Sequence, residues 1–323
     1  MAGFLYFLDH LRFSYSSGRS INGLFFIISR GVNRLLIGYQ GVEGSYSTIA
    51  CQEFSEGNNY QTKGYLTFPL LVDALLHEEV DYIALPVENA TSGPITRAID
   101  LLKYVDVTAT DEIYVKIDHA LITKHPIELS EITKVYSHPE ALKQCDTYLS
   151  QYPHIEVIDY MDTAGAVEMV KHAADHTIAS IAGSHAAALY GMTVMQENIN
   201  DNPSNTTRFL FFKKKKELVN QIQDKTSMYV EANHSTGSLS NMLNIFKKHA
   251  IHVLYLMPRP VQSEPFAYGF FIDIDNGAGH ETLHMALKEL EDSCTYINIL
   301  GNYRKGKIPA YKGALQHEKL VNR

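Results

Sequence analysis

The sequence predicts an α/β protein: a doubly wound sheet region followed by a small βαββαβ unit. Three observations carry this. Between Leu35 and Lys213 short apolar runs alternate with segments of helical spacing, the pattern of a largely parallel sheet covered by helices. A lysine run, KKKK at 213–216, closes that region. Beyond it, 225–303 reads strand, helix, strand, strand, helix, strand, the ferredoxin-like order.

The elements follow in turn. Leu35–Gln40 is an apolar strand, and the glycine turn GVEGSYS (41–47) leads into a helix over about 46–56. Leu70, Leu71, Ala74 and Leu75 give Pro69–Glu79 a helical stripe. Tyr82–Val87 is a continuous apolar strand, followed by the loop ENATSGP (88–94) and a helix to Tyr104. Further strands are expected at Ile113–Thr123, Lys134–Ser137, Glu156–Tyr160, Thr177–Ala182, Thr193–Gln196 and Thr207–Lys213, and helices at 138–151, 162–175 and 184–190. In such sheets ligands bind beyond the carboxyl ends of the strands, where loops meet helix N-termini. The last unit comprises KTSMYVEAN, GSLSNMLNIFKKHA, IHVLYLM, AYGFFIDID, ETLHMALKELE and TYINIL.

Bulk properties exclude several classes. A net charge of −8 offers no global basic field for nucleic acid, and four lysines read as a solvated strand end and linker. The three cysteines, Cys51, Cys145 and Cys294, form no CxxC pair, which argues against a disulfide framework and fits a reducing compartment. No run approaches the ~18–20 apolar residues of a membrane span. Residues 1–34 carry Arg12, Arg19, Arg30 and Arg34, several serines and one acid, Asp9. That is faintly like an organellar transit peptide, but the segment is treated as an N-terminal extension of a cytoplasmic protein. The tail 304–323 lacks apolar periodicity and is expected to be mobile.

HETLH (280–284) matches the zinc-protease pattern H-E-x-x-H. It falls at the start of the second helix of a small βαββαβ unit, and no third ligand is well placed except Glu318 in the tail, so no metal is expected. His172 and His176 share a polar helix face. In SHPE (137–140), Ser137 and Glu140 read as a capping box, at a helix N-terminus that also favours anions. Asp162 or Thr163 caps the next helix in the same way. ENATSG (88–93) displays Asn89, Thr91 and Ser92 beside a permissive Gly93, small neutral donors suited to a carboxylate or hydroxyl ligand. NPSNTTRFLFF (202–212) places Thr207 and Arg208 at the mouth of a buried strand. Those two side chains would face opposite sides of a regular strand, so sharing one pocket demands an irregular backbone.

YQGVEGSYS (39–47), LPVENATSG (85–93), SHPEALKQC (137–145), DTAGAV (162–167), ASIAGSHAAALYG (179–191) and NTTRF (205–209) occur together in this order. The set resembles prephenate dehydratase and its plant-type relative arogenate dehydratase. The segment from KTSMYVEAN through LMPRP (256–260) is similar to the ACT regulatory domain usually fused behind that catalytic region. The resemblance covers roughly 35–303. It implies a catalytic region at 35–213 with two lobes, 35–112 with 190–213 and 113–189, built like a periplasmic binding protein with its site in the cleft. An ACT domain would follow at 225–303. The implied reaction is the decarboxylating dehydration of prephenate to phenylpyruvate in phenylalanine biosynthesis, without metal or organic cofactor. Thr207 is the implied catalytic hydroxyl. Asn89, Ser137, Gln144, Asn205 and Arg208 are implied substrate contacts, with Ser45 a weaker one.

Prephenate carries two carboxylates and a ring hydroxyl, and losing CO2 and water makes its ring aromatic. Arg208 is suited to a bidentate carboxylate contact. Thr207 is too weak an acid to ionise, which leaves hydrogen-bond or concerted proton donation to the departing hydroxyl. This sequence departs from the family at Ala90, where serine is usual, and at Glu140, where glutamine is usual. Thr91 or Ser92 offers a substitute for the lost hydroxyl, so weakened rather than absent activity is expected from the first, and repulsion of a dianion from the second unless Glu140 turns inward to its helix. The effector motifs read GSLS (237–240) and MPRP (257–260), so Gly237, Ser238, Leu239, Arg259 and Pro260 form a degenerate phenylalanine site with weak or altered response. A homodimer or homotetramer through the ACT domains is expected. The rival readings are an enzyme preferring arogenate and a catalytically silent amino-acid-binding protein on the same scaffold.

Overall fold

The structure is a computed structural model describing residues 34–55, 59–215, 223–233, 235–262, 264–276 and 280–309. Tertiary contacts divide the chain into Met1–Arg34 and Leu35–Arg323, and every element named below lies in the second unit. Residues 1–33 of the N-terminal extension, Lys216 of the lysine run and the tail beyond 309 lie outside the described residues. No described helix is long and apolar enough to cross a membrane.

The first elements are β1 (Leu35–Gln40), α1 (Tyr46–Phe54), β2 (Tyr60–Tyr65), α2 (Phe68–Leu76), β3 (Tyr82–Asn89) and the two-residue β4 (Gly93–Pro94). A short helix α3 (Thr96–Ile99), extended by a single 3-10 turn, leads to β5 (Val107–Lys116). Then come β6 (His119–Thr123), β7 (Lys134–Ser137), α4 (Pro139–Lys143), α5 (Asp146–Leu149), β8 (Glu156–Asp159), α6 (Thr163–His172), β9 (Ile178–Gly183), α7 (Ser184–Tyr190) and β10 (Thr193–Gln196). Strand β11 (Thr206–Lys214) returns to the first sheet. The C-terminal unit is β12 (Lys225–Ala232), α8 (Ser238–Lys248), β13 (Val253–Pro260), β14 (Tyr268–Asp275), α9 (His280–Glu291) and β15 (Cys294–Tyr303).

One sheet has ten strands in the order β13-β14-β12-β15-β5-β11-β3-β1-β2, with β4 beside β3; the other runs β10-β6-β9-β7-β8. Within the C-terminal unit the order β15-β12-β14-β13 is the ferredoxin-like arrangement. Parallel pairing holds for β2-β1-β3 and β8-β7-β9. Strand β11 runs antiparallel to β3 and β5, and β6 antiparallel to β9 and β10. The sheets of the region 35–213 are therefore mixed rather than largely parallel, because the chain crosses between them through antiparallel strands.

Those crossings correct several expected boundaries. The expected strand 113–123 is two strands in different sheets. The Asn200 amide holds the break: its Nδ2 donates to the Ile117 carbonyl at 2.9 Å, and its Oδ1 accepts from His119 N at 2.5 Å. Strand β10 pairs with β6, so Thr193–Gln196 joins the second sheet rather than the first. The expected helix 138–151 is two short helices, because Asp201 draws the Thr147 amide at 3.1 Å and turns the chain after Gln144. Residues 304–309, the start of the expected mobile tail, are tied to the body through Gly306 N, which donates to Glu112 Oε2 at 2.9 Å.

Strand β11 divides the packing. Phe209 and Phe211 pack with Ile37, Ala84 and Val115 on one face, and Phe54 of α1 stacks on Phe211 at 4.1 Å between centroids. Leu210 and Phe212 face the other way, into a core shared with Leu71 and Leu75 of α2 and with Tyr229, Phe271 and Tyr303 of the C-terminal unit. That alternation is the ordinary period of a strand.

Candidate active site

A cleft of about 730 Å³ opens at the carboxyl ends of β1, β3 and β7. Its first wall carries Ser45, Tyr46, Pro86, Asn89, Arg97, Thr207 and Phe209, and its second carries His119, His138, Glu140, Gln144, Met161 and Asp162.

The glycine turn builds the first corner. Gly41 and Gly44 adopt φ of +108° and +87°, the left-handed region that glycine enters without steric cost, and they bring Ser45 to the N-cap of α1. The Ser45 hydroxyl makes no cap bond and finds no partner among the described residues, though it is buried. Helices α1, α2 and α6, each nine or ten residues long, all present first-turn residues to the cleft, an arrangement that favours anions.

Strands β3 and β11 build the floor. Thr207 lies opposite Asn89 and Arg208 opposite Glu88, but Phe209 lies opposite Pro86. Val87 is thus a bulge residue on β3. The bulge turns both Pro86 and Asn89 toward the cleft, beside Thr207 and Phe209. Asn89 Nδ2 donates to Asn205 Oδ1 at 2.8 Å and to Thr207 Oγ1 at 3.0 Å, while its Oδ1 accepts from the amides of Thr91 and Ser92 at 2.9 Å. The Ser92 and Thr91 hydroxyls also join, reaching Asn89 Oδ1 at 3.1 Å and Asn205 Oδ1 at 3.2 Å. Ala90 is exposed and takes no side-chain part, so the neighbouring hydroxyls complete the loop around it.

The network crosses to the second wall. Asn205 Nδ2 donates to Gln144 Oε1 at 2.8 Å, which also meets His119 Nε2 at 3.1 Å. His119 Nδ1 lies 3.2 Å from the Tyr46 hydroxyl, which donates to the Asp118 carbonyl at 2.7 Å. Burial pushes the His119 pKa down to about 4, against the opposing Gln144 contact, so the ring is neutral near pH 7. Burial likewise lowers His138 and His185. Arg97 lies close enough to His138 to contribute to that lowering, and among the described residues it is the only lysine or arginine lining the cleft.

Asn89, Gln144, Asn205, Thr207 and Ser45 are therefore brought together, with Asn205 one bond behind the wall. Two expected contacts are not. Ser137 is fully buried and its hydroxyl donates to the Ile181 carbonyl at 2.5 Å, across β7 and β9. The helix cap there is His138, whose Nδ1 accepts from Glu140 N at 3.2 Å, so the expected Ser137–Glu140 capping box is absent and Glu140 stays exposed at the cleft. Arg208 points to the opposite face of β11, because that strand is regular through Thr207 and Arg208 and the irregularity lies on β3. Its guanidinium meets Glu112 and Asp273 instead. Asp162 does cap α6, accepting from Gly165 N at 2.7 Å.

Sequence reasoning missed Tyr46, His119 and Arg97. Tyr46 lay within the quoted glycine-turn motif, but nothing marked its ring as a partner of a histidine 73 residues away. In the C-terminal unit Gly237, Ser238 and Leu239 stand at the N-terminus of α8, and the two latter line a second cavity of about 470 Å³. Arg259 and Pro260 are elsewhere: Arg259 grips Asp100 with Nε at 2.8 Å and Nη2 at 2.5 Å, and the Pro260 carbonyl accepts from Lys103 Nζ at 2.9 Å. Within one chain these five residues do not form a single site. On α9, His284 and Glu281 of HETLH are exposed, and the His280 side chain lies outside the described residues. No group of three or more metal-type ligands occurs among the described residues.

The sequence profile of prephenate dehydratase matches residues 37–217. The chain belongs to the prephenate dehydratase family. It is 32% identical over 270 residues to the bifunctional chorismate mutase/prephenate dehydratase of Neisseria gonorrhoeae, covering 83% of this chain and 74% of that one. It is 29% identical to the chloroplastic arogenate dehydratase/prephenate dehydratase 2 of Arabidopsis thaliana, over 88% and 76% of the two chains. A solved prephenate dehydratase from Arthrobacter aurescens, in complex with L-Phe, superposes with a TM-score of 0.77 over 89% of this chain and 96% of that one, at 21% identity. That likeness is one of fold. The profile match takes in the walls and floor of the cleft, so the prephenate dehydratase motifs and the Thr207–Asn89–Asn205–Gln144 network occupy the same ground.

Proposed function

We propose that the chain converts prephenate to phenylpyruvate, with Thr207 donating a hydrogen bond to the departing ring hydroxyl. One observation carries the reading: Asn89 Nδ2 donates to Thr207 Oγ1, which leaves the Thr207 proton free to point into the cleft. The amide contact also disfavours any rotation of the hydroxyl away from the ligand. As the ring carboxylate leaves as CO2, its bonding electrons enter the ring and the C–O bond breaks. The hydroxide takes up one proton and departs as water, and aromatisation supplies the driving force. Thr207 stabilises the oxygen while charge develops on it, and the net proton comes from solvent.

Arg97 and the first turns of α1, α2 and α6 supply the positive field for the two carboxylates, and the orphaned Ser45 hydroxyl supplies a further donor. Phe209 and Pro86 give the ring an apolar floor. Phenylalanine as effector rests on Gly237, Ser238 and Leu239, with Met257 and Ser240 weakening the response, and Arg259 contributing only if released from Asp100. Self-association through the βαββαβ units and a cytoplasmic location complete the reading; the three cysteines are free, two of them buried. Purified protein should be incubated separately with prephenate and arogenate while phenylpyruvate and phenylalanine are followed. Phenylpyruvate as the faster product supports the proposal. Faster phenylalanine makes arogenate the substrate, and no turnover by folded protein leaves a silent ligand-binding relative.

A further inference from the structure

Arg208 is buried behind the cleft, and its surroundings are unusually complete. Nε contacts Glu112 Oε1 at 2.6 Å, Nη1 contacts Asp273 Oδ2 at 2.7 Å, and Nη2 donates to the Tyr303 hydroxyl at 3.0 Å. Lys225 Nζ bridges the same two carboxylates, at 2.7 Å from Glu112 Oε1 and 3.4 Å from Asp273 Oδ2. The Ser227 hydroxyl bonds both Asp273 Oδ1 and the Tyr303 hydroxyl. Glu112, Arg208, Lys225 and Asp273 are all buried, two of each sign. Glu88 stands at the rim, 3.8 Å from Arg208 Nη1.

The membership of this cluster matters more than its size. Glu112 and Arg208 belong to β5 and β11 of the cleft-bearing part of the sheet. Asp273, Lys225, Ser227 and Tyr303 all belong to the C-terminal unit. Arg208 follows Thr207 directly on β11, and side chains of consecutive strand residues leave opposite faces of one rigid backbone. Whatever fixes the guanidinium behind the strand therefore fixes the hydroxyl in front of it. A displacement of about 1 Å at a reacting group can cost on the order of 100-fold in rate.

We propose that Asp273 and Lys225, acting through Arg208, are positioning residues for Thr207, so that the C-terminal unit is a built-in support of the active site. This rests on the reading of Thr207 as the catalytic hydroxyl. The cluster touches no substrate; it sets the height and tilt of the strand that does. Severing Arg208 from Asp273 lets β11 relax at Thr206–Phe209 while the apolar core behind Leu210 and Phe212 keeps the units together.

The test uses the full chain with Asp273→Asn, Asp273→Glu and, as a control, Ile272→Val, a neighbour on the same strand that faces the separate core under α8 and α9. Asp273→Asn is expected to lower kcat roughly tenfold to 100-fold with KM held within about twofold, and Asp273→Glu to restore part of the loss. Ile272→Val should lower Tm without changing kcat. If Asp273→Asn does not fold, the charge-balanced double variant Lys225→Met/Asp273→Asn is read in the same way. Wild-type kcat in a folded variant lacking the Asp273 carboxylate overturns the proposal. Amide hydrogen exchange gives a readout independent of turnover. Faster exchange at Thr206–Phe209 in Asp273→Asn, but not in Ile272→Val, supports the linkage even if wild-type protein leaves prephenate untouched, in which case it is the catalytic reading of Thr207 that fails. Unchanged exchange there overturns the linkage.

Discussion

The carboxamide of Asn89 uses both ends: its oxygen gathers the 91–92 loop and its nitrogen fixes Thr207 and Asn205. A buried amide with full hydrogen bonding is rigid, which suits a residue that must hold another in place. On the proposed reading carboxylate binding falls on Arg97, since Arg208 faces away. Arg97→Ala should therefore raise KM for prephenate by roughly 10-fold to 100-fold, the loss of one or two charge-assisted hydrogen bonds, with kcat changed less; steady-state kinetics at constant ionic strength checks this. An unchanged KM would remove Arg97 from the site. Asn89, Gln144, Asn205 and Thr207 were legible because they fall in an ordered set of motifs. Arg97 was not, because a single arginine on a short helix reads like any solvated surface charge.

Two strands decide the geometry at the next scale. β11 alternates without interruption, so Thr207 and Arg208 part company, and the bulge at Val87 of β3 supplies the irregularity that aligns Asn89 with Thr207. The sequence demanded an irregular backbone if both residues were to share one pocket; the irregularity exists, but on the partner strand, where Pro86 beside the bulge was its only mark and the run 82–87 otherwise read as a continuous strand. Buried on the far side, the Arg208 guanidinium loses hydration, yet Asp273, Tyr303 and Glu112 hold it firmly charged. Removing it leaves two buried carboxylates to share the single charge of Lys225. Arg208→Ala should thus lower the unfolding free energy by about 3–5 kcal/mol, read as a fall in the urea midpoint; a change within error would mean that water replaces the guanidinium without cost. Lys225, Glu112 and Asp273 carried no mark in the sequence: Asp273 alternates with Ile272 and Ile274 as a surface charge on a strand does, and Lys225 and Glu112 stand beside Asp224 and Asp111 in polar stretches that read as solvated.

Across the whole molecule, the α/β class, the cleft beyond the strand ends and the βαββαβ order were readable from periodicity. The joining of β15 to β5 through Gly301 and Ala109 was not, because pairing between two self-sufficient units leaves no local pattern. Nor was the division of 113–123 between two sheets, since one apolar run serves equally as one strand or two. His119 ties those sheets together: it stands on β6, meets Tyr46 of α1 and Gln144, and faces Asp118 and His185. Its folded pKa of about 4 lies below the ordinary 6.5, so the unfolded chain binds more protons between those values. The corresponding stability is fully present above pH 6.5 and is lost as pH falls toward 4, by roughly 3 kcal/mol. Denaturant unfolding at pH 7 and pH 5 should show the decline, and His119→Gln should flatten it. Equal slopes in the two proteins would assign the acid sensitivity to other groups.

The most direct test of the account compares Thr207→Ala and Thr207→Ser with the wild-type chain under saturating prephenate. The account predicts that alanine lowers kcat by at least about 100-fold, the cost of one lost donor to developing charge, that serine retains most activity, and that both variants melt near wild type. Wild-type turnover in a folded Thr207→Ala protein would contradict it.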